Sequence, residues 1–345
     1  MAEKINEQKE MQYLTSELEA VRKLPDVYIG ALGDRGFLNM FREILQNSLD
    51  EIIKGNTLDK NIIVSFDARN YVSIIEDNGQ GINLKDLEKV FSILHSSTNY
   101  DKKEGSGDYS SGKNGMGSTI TNFLSRFFYV ESYRMDGTAG RVEFTEGVLS
   151  KHLTPIKTNK NSKPHGLITT FAPSAMVGEL TITDADVQHL VWLIAHLCKI
   201  GTCVTFNAID KMGKKHKDII KNEHGLYTIL NMICNNAIAN PIHFMHDNGT
   251  MKIDILFTYD VAAMDDPQVY GFANMCPSNK GTHIDGFIDG ITKYFKDYMN
   301  KIYLANNKKL TVNAADIKTG LRAVVSCFHI KPLFTGDLIR FASSL

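Results

Sequence analysis

Three polar side chains stand at helical spacing in the segment Phe41–Asp50. Glu43, Asn47 and Asp50 occupy positions i, i+4 and i+7, which places them on one face of a helix. The apolar residues between them form a second stripe that would hold the helix against a core. A carboxylate can act as a general base for water, and a carboxamide oxygen is a ligand that Mg²⁺ accepts. On this segment alone, a solvated surface helix is an equally good interpretation.

A second candidate group, Asp77, stands where a predicted strand ends. The alternating, β-branched start of Val72–Ile82 predicts a strand, and Gly79 and Gly81 predict that it runs into a loop. A carboxylate only accepts hydrogen bonds, so it suits the exocyclic amino group of adenine. The two glycines would let the backbone approach a flat ring closely. An ordinary Asp-Asn-Gly turn would give the same pattern.

The third segment is the glycine-rich stretch Ser110–Thr119. Apolar residues at helical spacing follow it between positions 120 and 127, so a glycine loop leads into the N-terminus of a helix. Backbone N–H groups and the helix dipole make such a junction an anion site, to which Lys113 adds a positive charge. Residues 101–111 are polar and glycine-rich, which is typical of a lid.

In this order, the three segments resemble the Bergerat-fold (GHKL) ATPases. That group includes type II DNA topoisomerases, mismatch-repair proteins of the MutL type, heat-shock chaperone ATPases and sensor histidine kinases. Four further segments resemble type II topoisomerases in particular. They are Val21-Arg-Lys-Leu-Pro-Asp-Val-Tyr-Ile-Gly30, Ser97-Thr-Asn-Tyr-Asp101, Gly112-Lys-Asn-Gly-Met-Gly117 and Gly281-Thr-His-Ile-Asp-Gly-Phe287. The resemblance extends from about Met11 to Phe334, and the second and third of these segments are closest to the eukaryotic branch.

The resemblance implies ATP and Mg²⁺ as cofactors and a role for each matched residue. Glu43 would be the general base that polarises the attacking water, and Asn47 would bind Mg²⁺. Asp77 would bind adenine, and the segment 112–117 would wrap the phosphates through its backbone N–H groups. Asp50 and Glu51 would either support the residues that contact the nucleotide or be structural. The full set of residues expected to contact the nucleotide and its metal is Asn47, Asp77, Gly81, Ile82, Ser97, Thr98, Asn99, Gly112, Lys113, Asn114, Gly115, Met116, Gly117 and Ser118.

The chain departs from the family pattern at three places. Family members follow the adenine-binding aspartate with Asp-Gly-Arg-Gly, whereas Gln80 stands here at the arginine position, so the ion pair from that arginine to Glu51 is lost. The family's Gly-Thr pair aligns with Gly166-Leu167. Residues 337–339 stand where a Gln-Thr-Lys loop would reach the γ-phosphate, and Arg340, one position later, is a candidate replacement for its lysine.

Composition predicts an ordinary water-soluble protein. The chain has 345 residues, 43% of them hydrophobic and 22% charged, with a net charge of −1, so its surface as a whole does not attract nucleic acid. The five cysteines form no CxxC pair, which favours reduced core thiols over metal ligands. Neither a membrane span nor a signal peptide is expected. These features predict an intracellular location, either cytoplasmic or at the nucleoid or nucleus.

The predicted fold class is α+β: a Bergerat-fold ATPase α/β sandwich followed by a ribosomal-protein-S5-like transducer domain. We expect an N-terminal arm over residues 1–21, the ATPase domain over 22–175 and the transducer domain over 176–345. Strands are predicted at Ile62–Phe66, Val72–Glu76, Phe127–Ser132, Gly140–Thr145, Leu167–Phe171, Cys203–Asn207, Met251–Tyr259, Val269–Cys276 and Leu321–Ile330. Beyond the site segments, helices are predicted at Asp184–Ile200, at Ile284–Lys301 and from about Asn313.

Two basic stretches allow two interpretations. The five lysines within Lys211–Lys221 favour a solvated hairpin tip, and Lys308 and Lys309 favour a surface loop, because aromatic residues for base stacking are missing from both. The alternative is salt-dependent contact with DNA phosphates at either stretch.

The resemblance as a whole predicts the ATP-operated N-terminal gate of a type II topoisomerase. The expected partners are DNA, a second copy of the chain joined through the N-terminal arm, and a cleavage-core subunit or domain. The chain would not cleave DNA alone, because neither the tyrosine domain nor the acidic metal-binding domain is present, so a fragment or one part of a split enzyme is expected. The alternative is a stand-alone GHKL switch of the MutL kind.

Overall fold

The computed structural model describes residues 16–330, except 56, 58, 95–115, 160–161, 264–265, 279 and 306–311. The helices in this part of the chain are α1 (Glu17–Lys23), α2 (Pro25–Ile29), α3 (Asp34–Ile53), α4 (Leu87–Ser92), α5 (Gly117–Phe123), α6 (Asp184–Leu197), α7 (Leu226–Ile233), α8 (Thr282–Ala305) and α9 (Ala314–Lys318). The strands are β1 (Asn61–Asp67), β2 (Val72–Glu76), β3 (Ser125–Tyr133), β4 (Ala139–Thr145), β5 (Val148–Pro155), β6 (Gly166–Pro173), β7 (Cys203–Ile209), β8 (Lys215–Lys221), β9 (Ile242–Asp247), β10 (Met251–Tyr259), β11 (Gln268–Ala273), β12 (Cys276–Ser278) and β13 (Leu321–His329).

An eight-stranded sheet in the order β5-β4-β3-β6-β2-β1-β7-β8 supports the N-terminal half. Its neighbouring strands are antiparallel, except that β1 and β7 are parallel. Helix α3 packs on one face through aromatic contacts from Phe37 to Phe66 and from Phe41 to Phe171. The opposite face carries the charged pairs of Arg141 with Glu131 and Glu143, as expected for a sheet with one solvated side.

The second sheet has five strands in the order β12-β11-β13-β10-β9. Alternate residues of β13 point to opposite faces. Leu321, Ala323 and Val325 pack with α8, whereas Val324 and Phe328 belong to the large core that also contains the residues under α3. One continuous core therefore joins the first sheet to the second.

Most predicted elements are confirmed to within a few residues, and β2 has the predicted bounds. One prediction is wrong: Val269–Cys276 is not a single strand, because Asn274 and Met275 have φ angles of 48° and 63° and turn the chain into the β11–β12 hairpin. The predicted helix Asp184–Ile200 ends at Leu197, since Cys198 has extended backbone angles. Helices α1, α2, α4 and α7 and strands β5, β8 and β9 were not predicted.

Strands β7 and β8 lie beyond residue 175 in sequence, yet they extend the first sheet next to β1. The boundary between the ATPase and transducer domains at 175–176 stays a proposal. The lysine-rich stretch Lys211–Lys221 forms part of the β7–β8 hairpin, with Lys215–Lys221 as its second strand. Among the described residues, no helix is both long and apolar enough to cross a membrane.

Candidate functional site

Helix α3 runs along the site and is held by its apolar face. Phe37, Phe41, Leu45 and Leu49 are fully buried, while Asn47 is exposed, so the helix presents part of its polar side to solvent. Asp50 shares the predicted polar stripe but is buried. The predicted open face therefore consists of Glu43 and Asn47 without Asp50.

Glu43 lies beside the first residue of α5. Its Oε1 accepts a hydrogen bond from Nη2 of Arg42 at 2.7 Å, and 31% of its side chain is exposed. Its Oε2 faces Gly117, because a Cβ built on that glycine would stand 2.1 Å from this oxygen. One carboxylate oxygen is therefore held by a guanidinium group, and the other faces the start of α5.

Asn47 lies one turn further along α3 and contacts the second residue of α5. Its Nδ2 donates to Oγ of Ser118 at 2.8 Å. That contact uses the amide nitrogen and leaves the carboxamide oxygen as the atom that could bind a hard cation. Because the Asn47 side chain is exposed, this oxygen could serve as one hard donor to a divalent cation.

Asp77 follows β2 and is buried under the turn that its own side chain helps to form. Its Oδ1 accepts from the backbone N–H groups of Gly79 at 2.9 Å and Leu167 at 3.2 Å, and its Oδ2 accepts from Oγ of Ser48 at 2.9 Å. Burial raises the pKa of the Asp77 carboxyl, and the charge of Glu51 acts in the same direction, although these hydrogen bonds oppose it. Oδ1 already accepts two hydrogen bonds, whereas Oδ2 accepts one and keeps a second lone pair that could accept from a ligand N–H group.

The glycines around Asp77 allow close backbone approach. Gly81 has a φ of +67°, and a Cβ there would lie 2.4 Å from the carbonyl oxygen of Tyr133. Gly166 has a φ of +117°, and a Cβ there would lie 2.0 Å from the carbonyl oxygen of Asp77. Ile82 is fixed next to Gly81, because its N–H donates to Oγ of Ser132 at 2.9 Å.

The departure at position 80 changes what surrounds Glu51. Gln80 is exposed, and its carbonyl oxygen accepts from Nη1 of Arg134 at 2.9 Å. Oε2 of Glu51 is buried and has no hydrogen-bond partner among the described residues. It lies against Gly79, where a Cβ would be 3.0 Å away. The carboxylate that would pair with an arginine in the family thus lacks that partner here.

Four contacts along α3 bring the predicted segments together. In order, Glu43 faces Gly117, Asn47 binds Ser118, Ser48 binds Asp77, and Glu51 lies against Gly79. Met116 is half-buried against the core just before α5. The remaining predicted site residues, Ser97, Thr98, Asn99, Gly112, Lys113, Asn114 and Gly115, lie outside the described residues, as do Arg340, Lys308 and Lys309.

Sequence reasoning missed Ser48, Arg42 and His165. Ser48 follows Asn47 directly, and only the position of Asp77 in space gives it a role. The buried His165 contacts the carbonyl oxygen of Gly79 through Nδ1 at 2.9 Å, which supports the turn after Asp77 from a segment distant in sequence. A single sequence carries no signal for such contacts.

Two family models match the chain. Residues 35–148 match the histidine kinase-, DNA gyrase B- and HSP90-like ATPase model, and residues 208–337 match the DNA gyrase B model. Among curated relatives, the B-subunit of the type 2 topoisomerase of Aquifex aeolicus is 29% identical over 93% of this chain and 40% of its own length. The B-subunit of DNA gyrase from Mycoplasma genitalium is 27% identical over 93% of this chain and 51% of its own length. The chain spans about half the length of the curated relatives it matches.

Solved structures agree with these matches. The 43K ATPase domain of Thermus thermophilus gyrase B, solved with an aminocoumarin, has a TM-score of 0.71 at 25% identity and covers 92% of this chain and 83% of its own. The ATPase region of Saccharomyces cerevisiae topoisomerase II shares the fold, with a TM-score of 0.69 at 21% identity, covering 95% of this chain and 88% of its own.

The fold and the first family model define an ATP-binding domain of the histidine kinase-, gyrase B- and HSP90-like class. Within that class, the chain is similar to the ATPase region of type II topoisomerases. These findings do not favour the alternative of a MutL-like switch.

Proposed function

We propose that this chain binds and hydrolyses ATP with Mg²⁺ and serves as the ATP-operated gate of a type II topoisomerase. The observation that carries this proposal is the row of contacts along α3 from Glu43 to Glu51. It assembles a candidate base, a candidate metal ligand and a buried adenine acceptor on one helix. The similarity of the chain to gyrase B and to the histidine kinase-, gyrase B- and HSP90-like ATPases supports the same function.

In the proposed reaction, Glu43 takes a proton from water as the water oxygen attacks the γ-phosphorus. The bond from that phosphorus to the β–γ bridging oxygen breaks, and ADP leaves with its negative charge on that oxygen. Oε2 of Glu43 faces Gly117, so the oxygen that accepts the proton is the one nearest the start of α5. Asp77 holds the adenine amino group, with Gly81 and Ile82 forming the adjacent backbone. Asn47 would hold the Mg²⁺ ion through its carboxamide oxygen. When bound, the ion neutralises charge on the phosphates.

The remaining predicted roles are part of the same proposal. Ser97, Thr98 and Asn99 would lie near the ribose and phosphates. The segment 112–118 would enclose the phosphates, with Lys113 adding a cation. ATP binding would join two copies of the chain through the arm at residues 1–21. The partners would then be DNA and a cleavage-core subunit or domain.

Two variants of the chain test the assignment of the base. Glu43→Ala should lower the rate of ATP hydrolysis by about 100-fold or more, because a general base contributes about 10²–10⁴-fold. Binding of a non-hydrolysable ATP analogue should change little. Glu146→Ala is a matched control, since Glu146 is paired with Arg22 at the β4–β5 turn. Hydrolysis by Glu43→Ala at the parent rate would refute the proposed base.

Light scattering tests the gate. We expect a monomer without nucleotide and a dimer with Mg²⁺ and the analogue. A chain that binds the analogue and stays monomeric would argue against the gate and for a switch that recruits other partners. ATP-dependent strand passage with a supplied cleavage core would then decide between the two.

A further inference from the structure

Arg42 connects the proposed base to the second sheet. Arg42 and Glu43 are adjacent on α3, so their side chains leave the helix about 100° apart. They nevertheless form an ion pair of 2.7 Å between Nη2 and Oε1, which requires the arginine side chain to bend towards the glutamate. The other arm of the guanidinium, Nη1, donates to Sγ of Cys276 at 2.7 Å.

Arg42 and Cys276, the two partners of this hydrogen bond, are largely shielded from water. The side chain of Arg42 is 12% exposed, and Cys276 is 5% exposed. Burial raises the pKa of the Cys276 thiol, so the sulfur is a neutral acceptor near pH 7, although the charge of Arg42 opposes this shift. A planar guanidinium has its donors in a fixed fork, so fixing one arm limits the directions open to the other.

The position of Cys276 is set by the second sheet. The residue opens β12, directly after the turn in which Asn274 and Met275 have left-handed backbone angles. The Asn274 side chain clamps this turn to β13, because Nδ2 donates to the carbonyl oxygen of His329 at 2.9 Å and Oδ1 accepts from its N–H at 2.8 Å. Any displacement of β11–β13 relative to α3 would therefore displace Cys276 from Arg42.

We propose that Arg42 is a positioning residue for Glu43 and that Cys276 ties Arg42 to the second sheet. In this arrangement the guanidinium holds Oε1 and keeps Oε2 directed at Gly117. Movement of the second sheet is then transmitted through Cys276 and Arg42 to the direction of the carboxylate. The inference rests on the proposed function, in which Glu43 is the base.

A purely structural ion pair would behave differently. If Arg42 only stabilised the junction between α3 and the second sheet, its loss would lower the melting temperature without a specific effect on turnover. A positioning residue changes kcat at saturating ATP and leaves nucleotide affinity nearly unchanged, because the bound substrate does not require the base to be aligned.

The experiment is a double-mutant cycle on the full chain. Arg42→Ala, Cys276→Ala and the double variant are compared for kcat, for KM and for binding of a non-hydrolysable ATP analogue. Arg42→Ala should lower kcat by about 10-fold to 100-fold, the range expected when a catalytic group is misplaced by up to about 1 Å. Cys276→Ala should lower it by a smaller factor, and the double variant should be no slower than Arg42→Ala, because both act through one contact.

Conservative variants supply the controls. Arg42→Lys keeps the charge beside Glu43 and loses the fork, so it should recover part of the lost kcat. Cys276→Ser keeps a hydrogen-bond acceptor and should retain most of the turnover. Cys327→Ala changes a half-buried thiol on β13 of the same sheet and should leave kcat near the parent value. If Arg42→Ala fails to fold, Arg42→Lys and Cys276→Ala carry the test.

The outcomes separate this inference from the proposed function. Parent-level kcat in Arg42→Ala and Cys276→Ala, with Glu43→Ala inactive, would overturn the inference and leave the base in place. Losses that multiply in the double variant, or that disappear at a temperature where every variant is folded, would overturn it as well. Parent-level hydrolysis by Glu43→Ala would instead refute the proposed function.

Discussion

Gly117 lies directly against the carboxylate of Glu43, so that a Cβ at this position would stand 2.1 Å from Oε2. The contact joins α3 to the first residue of α5 at the atom expected to take a proton from water. The family resemblance implies that Gly117 belongs to a phosphate loop, in which its backbone N–H group would contact the ligand. The structure adds a reason for glycine, which is the room that Glu43 needs.

Gly117→Ala should therefore slow ATP hydrolysis without unfolding the chain. The added methyl group must displace the flexible end of Glu43, which we expect to lower kcat by about 10-fold to 100-fold. Alanine is a better helix former than glycine by about 1 kcal/mol, and this gain offsets part of the stability lost to the steric contact. Steady-state hydrolysis and thermal unfolding measure the two effects separately.

The matched control is Gly290→Ala in the middle of α8. A Cβ there meets nothing within 4 Å, and the position is exposed. This variant should gain about 0.5–1 kcal/mol of stability and keep its turnover. If Gly117→Ala hydrolysed ATP as fast as Gly290→Ala, the contact with Glu43 would have no role in the reaction.

Gly166→Ala should destabilise the adenine side of the site. The residue has a φ of +117°, and its Cβ would lie 2.0 Å from the carbonyl oxygen of Asp77, which is backbone and cannot swing away. We expect a loss of about 3 kcal/mol or more in the free energy of unfolding. Gly137→Ala measures the cost of the positive φ alone, because Gly137 has a φ of +82° and open space around it. The difference between the two variants is then the steric part. The free energy of unfolding of that control variant should fall by only about 1–2 kcal/mol.

Elements with a strong local sequence pattern were predicted, and elements without one were not. Strand β2 has its predicted bounds, since alternation over five residues ends in two glycines. Helix α7 was missed although four of its eight residues are buried, because its short apolar stretch, Leu226–Ile233, lacks a clear boundary signal. Strand β9 was missed because all six of its residues are exposed at the edge of the sheet.

The residues of the site also fall into those that could be predicted from the sequence and those that could not. Glu43, Asn47 and Asp77 could be named from residue type, spacing and family resemblance. Ser48 and Arg42 could not, because their roles come from contacts with Asp77, 29 residues away, and with Cys276, 234 residues away. Pairing across such distances is decided by how the sheets and helices assemble, and one sequence does not contain it in readable form.

Ser118→Ala should weaken the response to Mg²⁺ while leaving adenine binding intact. Ser118 holds the amide nitrogen of Asn47 and so directs the carboxamide oxygen. Loss of this orientation should raise the Mg²⁺ concentration for half-maximal hydrolysis by about 10-fold, at the low end of what a supporting hydrogen bond contributes at a metal site. Asn47→Ala, which removes the ligand itself, should have the larger effect. Titration of hydrolysis with Mg²⁺ at fixed ATP measures the effect of each variant. Equal midpoints in the parent chain, Ser118→Ala and Asn47→Ala would exclude Asn47 as a ligand.

Asp77→Asn should lower the affinity for nucleotide without lowering the stability of the fold. An asparagine oxygen can still accept from the N–H groups of Gly79 and Leu167, and the Ser48 hydroxyl can turn to accept from the new amide. Removal of a buried charge should leave the melting temperature at neutral pH equal or higher. Affinity for the ATP analogue should fall by about 10-fold or more, because hydrogen bonds to charged groups contribute about 1.5–3 kcal/mol.

The pH dependence of this difference distinguishes the role of Asp77 from that of an ordinary surface carboxylate. Burial raises its folded-state pKa above the unfolded value, so the folded chain holds the proton more tightly. Relative to Asp77→Asn, the parent chain should lose stability as pH rises from the usual aspartate pKa through the raised folded-state pKa, and the difference should then stay constant. Chemical unfolding of both chains across this range measures it. A difference that does not vary with pH, or one that favours the parent more as pH rises, would show that Asp77 is not held in a desolvated site.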